Sequence, residues 1–169
     1  MSRPFPLVLT LLALVLAGCA YRLGPTNGDR AGTRSVLIEP FQNKTIVPQL
    51  PEAIGHAMRK QMMRDGTYKL ETNGDSDIVV TGVIVNYDRK TTALQSRDSL
   101  SPRNYSLIIT ARVVAHERVG GKVLLDRKVQ GHSDVRIGAD LASAEREALP
   151  LVAEDFARNA TALLVDGTW

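Results

Sequence analysis

Residues 104–114 read NYSLIITARVV, and from Tyr105 onward every second residue is apolar. Tyr105, Leu107, Ile109, Ala111 and Val113 fall on one face of an extended chain, while Ser106, Thr110 and Arg112 mark the other. A period of two is the side-chain period of a β-strand, and a slip of one residue would turn the whole apolar set to water. The stretch therefore predicts a strand with one buried face and one wet face. Gly120-Gly121 then makes a hairpin turn, since glycine adopts the positive φ that tight hairpins require. The return strand, 122–129, carries Asp126 and Lys128 on its polar face.

The rest of the body assembles around this hairpin. Residues 78–87 are apolar on both faces except near Gly82, which suits a central strand. A polar loop with Pro102 spans 91–103. Further upstream, Tyr68 and Leu70 alternate with polar residues before the turn Asn73-Gly74-Asp75, and 35–39 (SVLIE) is a β-branched strand closed by Pro40. Residues 41–45 read as a loop. Between them Leu50, Ile54, Ala57, Met58 and Met62 recur at helical spacing, with Arg64 in the last turn and Gly66 as cap. Downstream, 139–165 is helical again, with Ala148, Val152, Phe156, Ala160 and Leu163 along one side. Pro150 interrupts that pattern, so a kink or a fresh helix start is expected there, and Gly167 ends it. Strand, helix, strands, helix predicts an α+β fold. It is a two-layer sandwich, with two helices packed on one face of a mostly antiparallel or mixed sheet of about four to five strands.

Composition agrees with one such domain: 169 residues, 44% hydrophobic, 23% charged, formal charge +3. That excess is too small to argue for nucleic acid.

The single cysteine says where the domain works. Arg3 precedes an almost unbroken run of Leu, Val and Ala at 5–16, and small residues follow at Ala17, Gly18 and Ala20. A positive start, a short apolar stretch and a small-residue exit describe a secretory signal, and the run is shorter than the ~20 residues a membrane span needs. A plain small-x-small cut is compatible with Gly18 and Ala20. Leu16-Ala17-Gly18-Cys19, however, resembles the lipobox of bacterial lipoproteins. The resemblance implies a diacylglycerol on the Cys19 thiol, cleavage before it, and acylation of the new amine. Ala20 stands where inner-membrane lipoproteins usually carry aspartate, which points to the outer membrane with the body in the periplasm. Residues 1–18 are then signal peptide, 19–34 a lipidated tether rich in Gly, Asn and Thr, and 35–169 the single α+β domain. Lipidation would remove the only thiol, so stability must come from a packed core of about 150 residues, large enough to bury about 68–70% of its unfolded surface.

Catalytic chemistry has no signature. His56, His116 and His132 are scattered, and His132-Ser133-Asp134 cannot converge because strand neighbours face opposite ways. No zinc, hydrolase or phosphate-loop motif occurs, so neither metal nor cofactor is expected, and the protein reads as a binding or assembly protein.

The lipobox followed by Tyr21-Arg22-Leu23-Gly24, the run from Ser35 through Pro40-Phe41-Gln42-Asn43-Lys44-Thr45, and Gly121-Lys122-Val123-Leu124 together resemble the lipopolysaccharide-assembly lipoproteins, the LptE family. The resemblance implies a plug and assembly subunit inside a large outer-membrane β-barrel, the lipopolysaccharide translocon, and binding of lipopolysaccharide itself. Its lipid A phosphates suit arginine. Arg89, Lys90, Arg97 and Arg103 collect in and beside the long polar loop, with Arg112, Arg127 and Lys128 next in order, although such charges also serve simply to solvate a loop. The other reading of the same residues is an outer-membrane lipoprotein that regulates a peptidoglycan synthase or builds a secretion assembly.

Overall fold

The computed structural model describes residues 31–93, 104–136 and 140–167. The signal-like run, Cys19, Arg97 and Arg103 lie outside the described residues. In chain order the elements are β1 (Ser35–Ile38), β2 (Gln42–Asn43), α1 (Leu50–Asp65), β3 (Lys69–Glu71), β4 (Ile78–Ala93), β5 (Asn104–Glu117), β6 (Val123–Arg136) and α2 (Leu141–Val165). The expected α+β sandwich is present, with six strands instead of four to five. Five lie in the order β3-β1-β4-β5-β6, and β2 pairs with β4. β1 is parallel to β3 and β4, β2 is parallel to β4, and β4, β5 and β6 run antiparallel.

The alternation that predicted β5 is its burial pattern. Tyr105, Leu107, Ile109, Ala111, Val113 and Ala115 are all buried beneath the helices. The flanking strands are longer than their sequences suggest: β4 continues through Arg89 and Lys90 to Ala93, and β6 runs to Arg136. A register shift between Ile84 and Asn86 leaves Val85 unpaired. That bulge lets Ile84 and Tyr87 both face the helices, although they are three residues apart.

Local chemistry sets the helix ends. Pro51 stands in the first turn of α1, and Gly66 (φ 74°) closes it by donating its N–H to the Met62 carbonyl at 3.1 Å. The Asp140 carboxylate caps α2 by accepting from the N–H groups of Ala142 (3.2 Å) and Ser143 (2.9 Å). α2 passes through Pro150 as one helix, with no fresh start. Its buried stripe is Ala148, Val152, Phe156, Ala160 and Leu164, whereas Leu163 is 40% exposed.

Two glycines bring the layers together. A Cβ at Gly82 would lie 2.1 Å from the Phe41 ring, so the ring sits directly on the central strand. A Cβ at Gly131 would lie 2.6 Å from the Val152 carbonyl and the Phe156 N–H, so the α2 backbone itself rests on β6. Phe41 and Phe156 meet edge to face at 6.1 Å in the main core cluster, which includes Ile109. Tyr105 and Leu107 form a second cluster with Val135 and Ala148 nearer the start of α2.

The 41–45 stretch is not a plain loop. Gln42 and Asn43 form β2, and the Asn43 side chain accepts from the Thr45 N–H (2.9 Å) and hydroxyl (2.8 Å) while donating to the Val47 carbonyl (2.8 Å). The Asn-x-Thr pattern is thus a turn device that leads the chain into α1.

Candidate partner and ligand surfaces

The helices cover one face of the sheet and leave the other open. Register assigns Leu37, Val79, Val83, Ile108 and Val114 to the open face as a central apolar band. Around it stand Asn86, Asp88, Lys90, Arg112, Asp126, Lys128, Gln130 and His132, all exposed. The surface is mixed, neither greasy nor uniformly charged. The β4 part of its apolar band (Val79, Val83) belongs to the run read as apolar on both faces, whereas Ile108 and Val114 were missed because only the polar members of the β5 alternation (Ser106, Thr110, Arg112) were read.

The predicted basic residues do not form one patch. Arg89 and Lys90 belong to β4 instead of the loop, so they face opposite sides of the sheet. Arg89, opposite Leu107, turns toward the helices and pairs with Glu145 of α2 at 2.9 Å. Lys90, opposite Ser106, is exposed on the open face. Arg112 and Lys128 are cross-strand partners on that same face. Arg112 makes a two-pronged pair with Asp126, its Nε donating at 2.7 Å. The hydrogen bond raises the arginine pKa and lowers that of Asp126, so a phosphate reaching Arg112 competes with a carboxylate already in place. Lys128 has no ion pair among the described residues. Arg127 is exposed on the other side of β6.

A second polar group lies where β4 and β5 pass under the start of α2. Burial pushes the Tyr87 phenol up to about 12, with the Glu145 charge adding to it, and the Tyr105 phenol also rises, again chiefly by burial. Between the helices, Gln49, Glu52, His56, Lys60, Pro150 and Glu154 line an open groove of about 500 Å³. Lys60 and Glu154 bridge it at 2.7 Å.

His56, His116 and His132 sit on α1, β5 and β6. His132 Nδ1 lies 3.0 Å from Asp155 of α2, while Asp134 accepts from the Ser106 hydroxyl. The histidine and this aspartate are therefore committed to different neighbours. Among the described residues no three His, Cys, Asp or Glu gather as metal ligands, and no helix is long and apolar enough to cross a membrane.

Comparison with known proteins points one way. A model of the lipopolysaccharide-assembly family LptE matches residues 33–162. No curated protein matches. Several solved structures share the fold. A hypothetical protein from Chlamydia trachomatis superposes with a TM-score of 0.57 at 11% identity, covering 79% of this chain and 97% of that one. A protein from Xanthomonas campestris gives 0.56 at 12% identity, covering 84% and 91%. A minor lipoprotein from Acinetobacter baumannii gives 0.52 at 12% identity, covering 78% and 92%. At such identities these likenesses establish the fold alone.

Proposed function

Because this chain belongs to the LptE family of lipopolysaccharide-assembly proteins, we infer that it is a non-catalytic lipoprotein of the outer membrane, anchored through Cys19 and facing the periplasm. It plugs and helps assemble the β-barrel translocon that delivers lipopolysaccharide to the cell surface. The family match over 33–162 carries this reading. The geometry is in keeping with it: the interior of a large barrel is polar, and the open sheet face offers such a wall charged and amide side chains around a narrow apolar band. Purification of the full chain from detergent-solubilised outer membranes is expected to bring down a large β-barrel in equal amount. A preparation without the barrel overturns the plug role, and one with a peptidoglycan synthase in its place favours a regulator.

Lipopolysaccharide contact is assigned to the cations of the open face. Arg89 is engaged under α2, which leaves Lys90, Arg112 and Lys128 of the predicted cations on this face; Arg97 and Arg103 lie outside the described residues. Changing Lys90, Arg112 and Lys128 together to Ser is expected to weaken lipopolysaccharide binding by about tenfold, since charge-assisted contacts to phosphate would be lost, while leaving the melting temperature nearly unchanged. Wild-type binding should weaken as salt rises, because exposed ion pairs are screened. Unchanged affinity in the folded variant would remove this face from the ligand site.

A further inference from the structure

β6 is an edge strand, with β5 on one side and, among the described residues, no strand on the other. At 14 residues such an edge recruits other chains unless it is covered, and the fold covers only part of it. The Asp155 carboxylate of α2 accepts from the His132 N–H (2.9 Å), and the Asn159 side-chain amide donates to the Gln130 carbonyl (2.8 Å). These two bonds fix the parity of the strand: even-numbered residues turn their N–H and C=O groups away from β5. Asp126 and Lys128 therefore point theirs outward as well, and among the described residues no side chain caps them. Beside this uncapped stretch runs a groove of about 480 Å³, walled by Val129 on one side and by Ala162, Leu163 and Asp166 on the other. The exposed charges of this margin cancel, with Asp126 and Asp166 set against Arg127 and Lys128. Such a margin selects neither an acidic nor a basic partner. It suits a surface that carries the same two signs in reverse order.

We propose that the β6 edge at Asp126 and Lys128 pairs antiparallel with the same edge of a second copy of this chain, about a twofold axis at Arg127. A twofold interface uses one patch twice and must be self-complementary. An antiparallel ladder bonds residues that both point outward, so the axis passes through a residue and not between two. With the axis at Arg127, Asp126 of each copy lies opposite Lys128 of the other, and each such pair exchanges two main-chain hydrogen bonds. Unlike charges then meet twice on the open face, where within one copy Lys128 has only Arg112 opposite it. The Asp126 carboxylate, already held by Arg112, comes to stand between two cations. An axis at Asp126 or at Lys128 would set that residue against itself and leave the other charge opposite Leu124 or Gln130, so the charges single out one register. On the helix side this register sets Leu125 of the copy opposite Val129, next to Leu163. Its one like-charge contact, Arg127 on Arg127 at the axis, is exposed and is outnumbered by the two attractive pairs. Pairing stops at Gln130, whose carbonyl Asn159 already holds, so the dimer is weak and forms with rising concentration.

The test uses the full chain in an excess of detergent micelles. Under mild oxidation Arg127→Cys should form a disulfide-linked dimer. The residue on the axis meets its counterpart as a non-hydrogen-bonded pair with Cα atoms about 4.5 Å apart, within the reach of a disulfide. Val123→Cys, exposed on the same strand, should not, because its counterpart would lie roughly 26 Å away at 3.3 Å per residue. The wild-type chain, which keeps Cys19, gives the background. In sedimentation Lys128→Asp should weaken self-association by about tenfold, since both attractive pairs turn repulsive. Adding Asp126→Lys should restore it, because the opposed charges are again unlike. Absence of an Arg127→Cys dimer above background overturns the proposal, as does equal linkage at positions 127 and 123. Self-association that the Lys128→Asp change leaves untouched overturns it too. Should the charge-swapped variants misfold, the comparison of the two cysteine variants decides.

Discussion

Phe156→Ala is expected to destabilise the body by about 3–5 kcal/mol, the range for removing a fully buried phenylalanine. For a domain of this size the melting temperature should fall by roughly 6–20 °C, at about 2–4 °C per kcal/mol. The upper part of the range is favoured because the cavity has little means of collapsing. The α2 backbone already touches β6 at Gly131 and cannot move closer, and Phe41, the edge-to-face partner, is held against Gly82. Arg158→Ala on the same helix is the control. Arg158 is exposed and pairs with Asp155 at 2.6 Å, an ion pair of a kind that contributes about 0–1 kcal/mol. Thermal unfolding followed by circular dichroism separates the two, and equal losses would mean that the packing of α2 is not what anchors the sheet.

The parts of this fold that were legible are those where one periodicity runs uninterrupted. β5 alternates without a break because every inward position meets a helix, and α1 has a matching proline start and glycine stop. The continuity of β6 was not legible: the return strand was read over 122–129 and His132-Ser133-Asp134 only as a separate strand stretch, with Gly131 between them. Gly131 is there to admit the helix backbone, and the strand's edge bonds are supplied by Asp155 and Asn159, far along the chain. Leu163 and Leu164 illustrate a different limit. Three and four residues beyond Ala160 are equally acceptable steps on a helical face, and only the position of β6 decides which leucine is covered.

The candidate surfaces were less legible still. Arg89 and Lys90 looked like the start of a charged loop, since charge and polarity are the usual marks of one. Pairing with β5 extends the strand past them and separates the two side chains onto opposite faces. No local signal identifies Glu145 as the partner of Arg89 or Asp126 as the partner of Arg112, since both pairs are made by tertiary placement. The exposed edge of β6 is likewise a property of strand order. The stretch around Cys19 is the opposite case, because its information is wholly local.

Cys19→Ala is expected to convert a protein found entirely with membranes into one found in the soluble fraction, or to leave an uncut precursor of higher mass. The size of the effect follows from the chemistry of the anchor. A thiolate is the side-chain nucleophile best suited to take an acyl-glycerol group, and alanine offers none. Each buried methylene contributes about 0.8 kcal/mol, so one acyl chain holds a protein only reversibly while several on one residue hold it essentially permanently. Loss of the one acceptor therefore removes the whole anchor instead of weakening it. The domain itself should be untouched, because Cys19 precedes the first strand at Ser35; the soluble variant should melt at the wild-type temperature. Growth with a radioactive fatty acid followed by fractionation and mass measurement tests all of this. Label that persists in the Cys19→Ala protein would mean that the acyl chains sit elsewhere, and the outer-membrane anchor at Cys19 would fall with that result.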